Sequence, residues 1–426
     1  MIAAPSAVLA DLGDTLSNFQ FSIAGQEEYT SNVFLSSQNK RSDFITTVTP
    51  GLRFSTLPRS ERTGQFEPSA SSAKTRYGLD LDYSVPLVYY AKGTSDNYVG
   101  LAGTLNAWYA FDPKWIFRVR NYSVRSEEPR EREYVPGALP DQYLLGTDRG
   151  RAIYFRNVFE PSLAYQFAKD SLFALDYRSN IYRNQSSLSG NSREDFLSPK
   201  FNYWFDIRNG VSFEYGLTLG QFDRSPDLTG HAGTGRYTYR FGPRTSIFGE
   251  YTFLRRDFEQ PSPDYDVHRP SIGISHDFSR TLTGRAQVGY FWQKPSQGST
   301  QGGVYYDTSL SQRARRTTYT VIFQGGYNED YFTAQNLGFS KYHRVVGIIS
   351  HQPMERMTVG ISGSLERAKL SSGEIDRIWG IRGSASYQIL RWLAVSLEVS
   401  HREDHSNADL RDYDETRGLF RITAAY

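Results

Sequence analysis

The sequence predicts an all-β fold, a single transmembrane antiparallel β-barrel, from three observations. Apolar and polar residues alternate with a period of two, the pattern of strands with one wet and one apolar face. Hydrophobic residues make up only 38% of the chain, yet it holds 30 Tyr and 27 Phe, as in barrels with a polar interior and aromatic girdles. Short turns and longer polar loops follow each other in a regular rhythm. The same alternation would suit a soluble all-β protein such as a propeller. The regular spacing of turns and the aromatic content therefore favour the barrel.

Composition also excludes several classes of protein. The chain has no Cys, which excludes disulfides, zinc thiolates and cysteine catalysis. No stretch approaches the ~18 apolar residues of a transmembrane helix. A formal charge of +2 gives no reason to expect a nucleic-acid partner. No nucleophile elbow, zinc helix or phosphate loop is present in the sequence, so we expect neither an enzyme nor a cofactor or metal site.

The chain divides into a short leader and one barrel. Val8-Leu9-Ala10 before Asp11 fits a signal-peptidase site. Residues 1–17 are therefore predicted to be a signal-peptide remnant or a flexible N-terminus, and residues 18–426 the transmembrane β-barrel.

Strand-like alternation begins near Phe19 and continues to the last residues. The segment Tyr319–Asn328 is an example, since Tyr319, Val321, Phe323 and Tyr327 oppose polar neighbours. At the end of the chain, one face is made by apolar residues, which are Phe420, Ile422, Ala424 and Tyr426.

Short turns recur on one predicted side of the sheet, and from Lys169 onward they lie roughly 35–40 residues apart, the length of a two-strand hairpin with both of its connections. They are expected near Asp112-Pro113, Lys169-Asp170, Asn209-Gly210, Gly242-Pro243, Ser279-Arg280, Ala314-Arg315, Pro353-Met354 and Leu390-Arg391. A longer connection, Thr56 to Ala73, is assigned to the same side. Together with the joined termini these connections predict about 20 strands, with 18 as the alternative. Short periplasmic turns and long extracellular loops are expected of bacterial outer-membrane barrels.

The polar face is predicted to line a water-filled lumen, where basic residues are frequent. The candidate lumen-lining residues are Arg76, Arg118, Arg120, Arg156, Arg178, Lys200, Arg236, Arg240, Arg285, Arg382, Arg402 and Arg421. Fewer acids are assigned to this face, namely Asp80, Asp82, Glu160, Asp176, Glu214, Glu250 and Glu398. A positive excess would favour anionic solutes. The alternative is that these charges pair across strands and only hydrate the wall.

Two parts of the sequence resemble known patterns, one near the beginning of the chain and one at its end. Glu28–Ser36 with Asn32-Val33-Phe34, Ser42–Ile45 and Thr49–Leu52 resemble the opening of the putative beta-barrel porin-2 family, outer-membrane barrels encoded with exopolysaccharide operons. The last residues resemble the C-terminal assembly signal of bacterial outer-membrane proteins, although Tyr426 replaces the usual Phe. The resemblance implies an outer-membrane channel, with polymer export as its task, and assigns no catalytic residues.

The sequence thus predicts a porin-like channel in the bacterial outer membrane for a polar solute, either an anionic one or an exopolysaccharide. Its expected partners are the lipid bilayer with outer-membrane lipids, and either a polysaccharide or a periplasmic export protein. The alternative function is a scaffold barrel that sheathes a protein partner such as an electron-transfer cytochrome.

Overall fold

The computed structural model describes residues 18–56, 76–127, 152–185, 190–259, 262–332, 338–408 and 411–426. The predictions for residues 1–17 and for most of Thr56 to Ala73 therefore lie outside the described residues. No helix among the described residues is long and apolar enough to cross a membrane.

The described chain forms 20 antiparallel strands, which agrees with the predicted number. Two of the strands, β3 and β4, are each interrupted once, and a 3₁₀ turn at Thr94–Asp96 joins them. The strands are β1 Phe19–Thr30, β2 Asp43–Ser55, β3 Tyr77–Ser84 with Leu87–Tyr90, β4 Tyr98–Val99 with Leu101–Ala110, β5 Trp115–Ser126, β6 Tyr154–Ala168, β7 Ser171–Asn184, β8 Ser192–Trp204, β9 Asn209–Phe222, β10 Leu228–Gly242, β11 Thr245–Phe258, β12 Tyr265–Asp277, β13 Leu282–Pro295, β14 Gln301–Ala314, β15 Thr317–Asp330, β16 Gly338–Met354, β17 Met357–Leu370, β18 Ile375–Leu390, β19 Leu393–Ser406 and β20 Tyr413–Ala425.

The sheet closes on itself because the first and last strands pair. Their register runs from Ser22 opposite Ala425 to Thr30 opposite Arg417. At the end of this seam, the N–H of Phe21 donates to the carbonyl of Tyr426 at 2.9 Å, and the N–H of Tyr426 donates back at 2.8 Å. Closure leaves neither of these strands with an open edge.

The two faces of the wall differ in chemistry. Large apolar side chains, including Phe420 and Leu397, are exposed on one face, which we call the outer face. Glu250 and Glu415 are buried on the opposite, inner face. Apolar residues outside and charged residues inside are the arrangement that a barrel needs in hydrocarbon.

Apart from residues 56–76, the connections at one end of the barrel are short and those at the other end are mostly longer, as the sequence predicted. The short turn before β9 is displaced slightly, since β9 begins at Asn209 and the turn occupies residues 205–208. The Asp206 carboxylate builds this turn by accepting the backbone N–H groups of Arg208 at 2.6 Å and Asn209 at 2.8 Å. We call the end of the barrel that carries the short connections the short-turn end, and the opposite end the long-loop end.

Tyr327 keeps the predicted parity of Phe323 in the ladder with β16, but the prediction that it faces lipid is wrong. Strand β15 pairs with β14 only as far as Gly325, which lies opposite Tyr306. Beyond that point β15 leaves β14, and the Tyr327 ring packs against Phe291 and Phe339, with ring centroids 5.1 and 5.4 Å away. The ladder between β15 and β16 is unbroken here, from Phe323 opposite Val345 to Tyr327 opposite Lys341, so the end of this hairpin bends inward as a unit and packs onto the inner wall.

Candidate functional site

The structure places the predicted basic residues at the inner face, with one exception. Eleven of them lie on the same face of the sheet as Glu250 and Glu415. These residues are Arg118, Arg120, Arg156, Arg178, Lys200, Arg236, Arg240, Arg285, Arg382, Arg402 and Arg421. Arg76 lies just before β3 and donates to the carbonyls of Ala110 at 3.3 Å and Phe111 at 3.2 Å. It therefore braces a turn at the rim.

Most of the inner-face charges are paired between neighbouring strands. Glu250 on β11 accepts a hydrogen bond from Arg236 Nε at 2.8 Å and another from Arg269 Nη2 at 3.2 Å. Comparable pairs join other strands around the wall, and they are Arg53–Asp80, Arg120–Glu160, Arg178–Glu194, Lys200–Asp176, Lys200–Glu214, Arg344–Glu366, Arg382–Glu398 and Arg417–Glu28. This arrangement matches the alternative in which charges stabilise the wall across strands.

Sequence reasoning missed four buried acids of the inner face, of which Glu28, Glu194 and Glu366 belong to these pairs. Glu28, Glu194, Glu366 and Glu415 are all buried on the inner face. They bring the two signs of charge closer to balance than the sequence suggested. A signal was available, because Glu366 occupies the inward parity between Ser364 and Ala368 and faces Arg344 across β16 and β17.

Three inner-face arginines differ from the paired ones. Within the described part of the chain, Arg285, Arg313 and Arg421 make no ion pair with a carboxylate. All three lie close to the short-turn end, on β13, β14 and β20. Asp277 on β12 and Asp307 on β14 share this face and likewise make no ion pair within the described residues, so the three arginines leave a small positive excess in this part of the inner face.

Aromatic rings hold several inner-face guanidinium groups in place. The Arg240 guanidinium lies 3.4 Å from the centre of the Trp204 ring, and Arg236 lies 4.3 Å from the centre of Phe248. Arg285 approaches the same Phe248 ring at 5.6 Å. Stacking of this kind fixes the plane of a guanidinium group, and desolvation strengthens it.

The long-loop end is narrowed by a hairpin that turns inward. We call the end of β15 and the start of β16, residues 326–332 and 338–342, the inward hairpin. Its Glu329 carboxylate accepts a hydrogen bond from Arg256 Nη2 of β11 at 2.8 Å. The hydroxyl of Tyr331 lies 2.7 Å from that of Tyr265 on β12, and Phe332 stacks on Phe222 of β9 at 5.3 Å.

An apolar cluster anchors this hairpin to the wall. Its buried members are Leu254, Tyr265, Val267, Phe291 and Phe339. Burial of such side chains contributes roughly 1.5–3 kcal/mol each. The inward hairpin is thus a packed part of the barrel.

A second connection, residues 31–42, also packs inward. Val33 and Leu35 are buried, and Val33 joins a cluster with Ile45, Val88 and Tyr90 on the inner face. The amide of Asn32 donates to the carbonyls of Ser36 at 2.8 Å and Asp414 at 3.0 Å. Asn32 and Val33, which belong to the segment that resembles the opening of the porin-2 family, therefore hold this connection in place.

The Asp43 carboxylate fixes the neighbouring connection between β3 and β4. It is fully buried and accepts the backbone N–H of Lys92 at 2.9 Å and that of Gly93 at 3.1 Å. The two connections therefore share one buried anchor at the long-loop end.

Two aromatic rings of the inner face, Tyr154 and Trp204, are already covered by other side chains and are not open for stacking on a sugar. Tyr154 is only 1% exposed and packs against Tyr182 with ring centroids 5.8 Å apart. Trp204 is covered by Arg240. Among the described residues, no group of three or more His, Asp or Glu side chains converges as a metal site.

Comparison with known proteins gives both a family and a fold. A family model described as putative beta-barrel porin 2 matches residues 210–426. The outer membrane protein OpdK of Pseudomonas aeruginosa is 11% identical with a TM-score of 0.44, covering 96% of this chain and 99% of its own. The siderophore receptor PirA of Pseudomonas aeruginosa is 9% identical with a TM-score of 0.52, covering 96% of this chain and 80% of its own. No curated protein sequence matches the chain.

The family match covers just over half of the chain, and the closed barrel with apolar outer face agrees with it. The resemblance noted in the opening residues lies outside the matched segment, so the two observations are independent. The chain belongs to the putative beta-barrel porin 2 family and is a porin-like channel of the bacterial outer membrane.

Proposed function

We propose that this channel conducts polar solutes and favours anions, with an acidic exopolysaccharide as the substrate class that best fits it. One observation carries the proposal, namely that Arg285, Arg313 and Arg421 lie on the inner face without an ion-paired carboxylate among the described residues. Charged side chains that line a pore select for ions of opposite sign. The position of these arginines near the short-turn end would place the positive charge where a solute enters from the periplasm.

The paired charges contribute less to this preference. Arg120, for example, lies 3.4 Å from Glu160, so its field is largely cancelled by that carboxylate. Arginines without such a partner retain more of their field in a narrow, low-dielectric channel. The selectivity of the channel is therefore expected to depend on Arg285, Arg313 and Arg421 more than on the paired residues.

The alternative of a scaffold that sheathes a cytochrome receives less support. The inward hairpin and the connection at residues 31–42 both pack on the inner face at the long-loop end. A globular partner threaded through the barrel would have to displace both. An extended polar chain needs less room, and we propose that it passes without any catalytic step.

Planar-bilayer conductance tests the proposal. Under a salt gradient, the reversal potential of the wild-type channel should show anion preference. The triple variant Arg285→Glu, Arg313→Glu, Arg421→Glu should lose or reverse that preference, while Arg255→Glu on the outer face should leave it unchanged. A cation-selective wild-type channel, or a triple variant with unchanged selectivity, would exclude the anion preference.

The substrate class is tested by current block. A soluble acidic oligosaccharide such as oligogalacturonate, added on the short-turn side, should interrupt the current more often than a neutral dextran of equal length. Equal block by both polymers would be consistent with a general polar channel but would exclude an acidic polysaccharide as its preferred substrate class.

A further inference from the structure

Every short turn at the short-turn end carries an exposed basic residue. These eight turns are two to four residues long, the first between β4 and β5 and the last between β18 and β19. The first four contain Lys114, Lys169, Arg208 and Arg244. The other four contain Arg280, Arg315 with Arg316, Arg356 and Arg391. We call these nine basic residues the turn ring.

The acids in the same turns are fewer, and most of them have other contacts. There are four, which are Asp112, Asp170, Asp206 and Glu355. Asp112 and Asp206 accept backbone N–H groups of their own turns, at 2.7 and 2.6 Å. Asp170 lies 3.6 Å from Arg240 of the inner face. Within the described part of the chain, no member of the turn ring forms an ion pair with a carboxylate, so the turns carry an excess of positive charge.

Outer-face aromatic rings show the height of the turn ring. At the ends of four strands that lead into these turns, two rings are in edge-to-face contact, with centroids 4.6 to 5.1 Å apart. The pairs are Tyr109–Phe111, Tyr203–Phe205, Tyr239–Phe241 and His276–Phe278. In each case a member of the turn ring follows two or three residues later. Aromatic girdles of barrels lie at the membrane interface, so the turn ring lies on the aqueous side of that interface.

The connections at the long-loop end are arranged differently. Those at residues 259–264, 296–300 and 371–374 contain no basic residue. In two others basic residues are ion-paired, and the pairs are Lys40–Asp414, Arg41–Asp96 and Arg411–Glu374. A basic residue in each turn therefore distinguishes the short-turn end from the long-loop end.

The turns are close enough for their charges to act together. Successive turns are separated by two strand spacings, or about 10 Å. The Debye length is about 8 Å at physiological ionic strength, so the fields of neighbouring turns overlap in part. A polymer that carries many negative charges can therefore contact several members of the turn ring at once, which strengthens its binding.

The positive charge continues from the turn ring into the channel. Arg313, near the end of β14, precedes Arg315 by two residues. Arg285, near the start of β13, follows Arg280 by five residues. Both belong to the inner-face arginines that have no ion-paired carboxylate among the described residues. A negatively charged chain that reaches the turn ring therefore meets further positive charge as it moves inward.

We propose that the turn ring captures the acidic polysaccharide at the periplasmic mouth, before the polymer enters the channel. This inference rests on the proposed function, and it gives the turn ring control of the capture rate. Fixed charges at a mouth raise the association rate of a ligand of opposite charge. The inner-face arginines act later, on the selectivity of the pore and on the time that the polymer stays inside.

Single-channel block by oligogalacturonate from each side tests the proposal. The chain has no Cys, so labelling of the variant Ser372→Cys at the long-loop end fixes the orientation of the inserted channel. The wild type should capture the polymer faster from the short-turn side than from the other side. The turn-ring variant Arg208→Gln, Arg244→Gln, Arg280→Gln, Arg315→Gln should slow this capture about tenfold at low ionic strength, with unchanged dwell time and anion preference. The matched control at the long-loop end, Arg183→Gln, Arg193→Gln, Arg255→Gln, Arg367→Gln, should behave as the wild type does.

Salt and a binding assay separate the turn ring from the selectivity of the pore. At about 1 M salt, where the Debye length is about 3 Å, the turn-ring variant and the wild type should capture the polymer at the same rate. Fluorescence anisotropy of labelled oligogalacturonate with the detergent-solubilised full chain reports binding even without passage, and the turn-ring variant should bind more weakly than the control. Equal capture and equal binding by wild type and turn-ring variant would overturn the proposal, while the anion preference would stand. A cation-selective wild type whose binding is still lost in the variant would refute the anion preference of the pore but not the turn ring.

Lipid of the inner leaflet is the rival ligand. Phosphatidylglycerol that co-purifies with the wild type and is lost in the turn-ring variant, together with equal binding of oligogalacturonate, would assign the turn ring to lipid headgroups and overturn the proposal. If the turn-ring variant does not fold, the double variant Arg244→Gln, Arg280→Gln decides by the same criteria.

Discussion

Arg256 and Glu329 are 73 residues apart in the sequence, yet Arg256 Nη2 lies 2.8 Å from Glu329 Oε2 across the inner face of the barrel. Both side chains are nearly buried, with 12% and 13% exposure. The pair fastens the inward hairpin to β11.

Replacement of Glu329 by Gln should loosen this hairpin. Removing one partner of a buried pair leaves an uncompensated charge and costs about 3 kcal/mol. We expect a lower unfolding temperature and a larger single-channel conductance. The control is Asp257→Asn, which removes an exposed outer-face partner of Arg255 and should change neither quantity. Unchanged conductance in the Glu329 variant would mean that the hairpin does not restrict flow.

Alkaline pH should act on the same hairpin through Tyr331. Burial, together with the nearby Glu329 carboxylate, raises the pKa of the Tyr331 hydroxyl. A tyrosine whose pKa is raised in the folded state contributes stability at neutral pH. This stability is lost as the pH rises above the ordinary tyrosine pKa of about 10. Ionisation of Tyr331 should therefore loosen the inward hairpin and increase the conductance above that pH. The variant Tyr331→Phe should show a smaller increase. An identical alkaline response in wild type and variant would exclude Tyr331 as its source.

Gly273 should be intolerant of a side chain. It lies opposite Phe248, and a Cβ atom added there would come within 2.2 Å of the Phe248 ring. Gly273→Ala should displace the ring on which Arg236 and Arg285 rest, at a cost of about 1–3 kcal/mol. Urea unfolding in lipid vesicles measures the cost. Gly249→Ala is the control, because nothing lies within 4 Å of its added Cβ, and a similar loss in both variants would contradict the prediction.

Leu397 should report the polarity of the medium outside the barrel. It is 51% exposed on the outer face of β19 and lies opposite Phe420. Leu397→Lys should cost about 2–4 kcal/mol near the bilayer midplane, whereas Ser396→Lys on the inner face should cost much less. Vesicle-based unfolding compares the two, and a well-tolerated Leu397→Lys would argue against lipid at this surface.

The periodic part of the fold was predictable from sequence because each strand has one apolar and one polar side. Turn positions and strand number followed from that rhythm. The inward hairpin was not predictable in the same way, since Tyr327 continues the parity of Phe323 in sequence. The Gly325-Gly326 step, where the strand leaves its neighbour, was the available signal.

The charge pattern was predicted only in part. Residue parity places Arg236 and Arg285 on one face, but it does not reveal that Glu250 meets Arg236 while Arg285 has no carboxylate partner among the described residues. Such distinctions depend on which residues lie opposite each other across two strands. Register is set by turns and bulges along the whole sheet, and a single strand does not contain that information.

The pairing of Ser22 with Ala425 bears on how the chain reaches its membrane. The cylinder is not complete until residues from opposite ends of the polypeptide meet, and such distant contacts form slowly. Before that moment, two rows of N–H and C=O groups would lack partners, at a cost of several kcal/mol per group in hydrocarbon. Insertion and completion of the cylinder must therefore occur together, and any assembly factor for this chain has to shield both rows until they join.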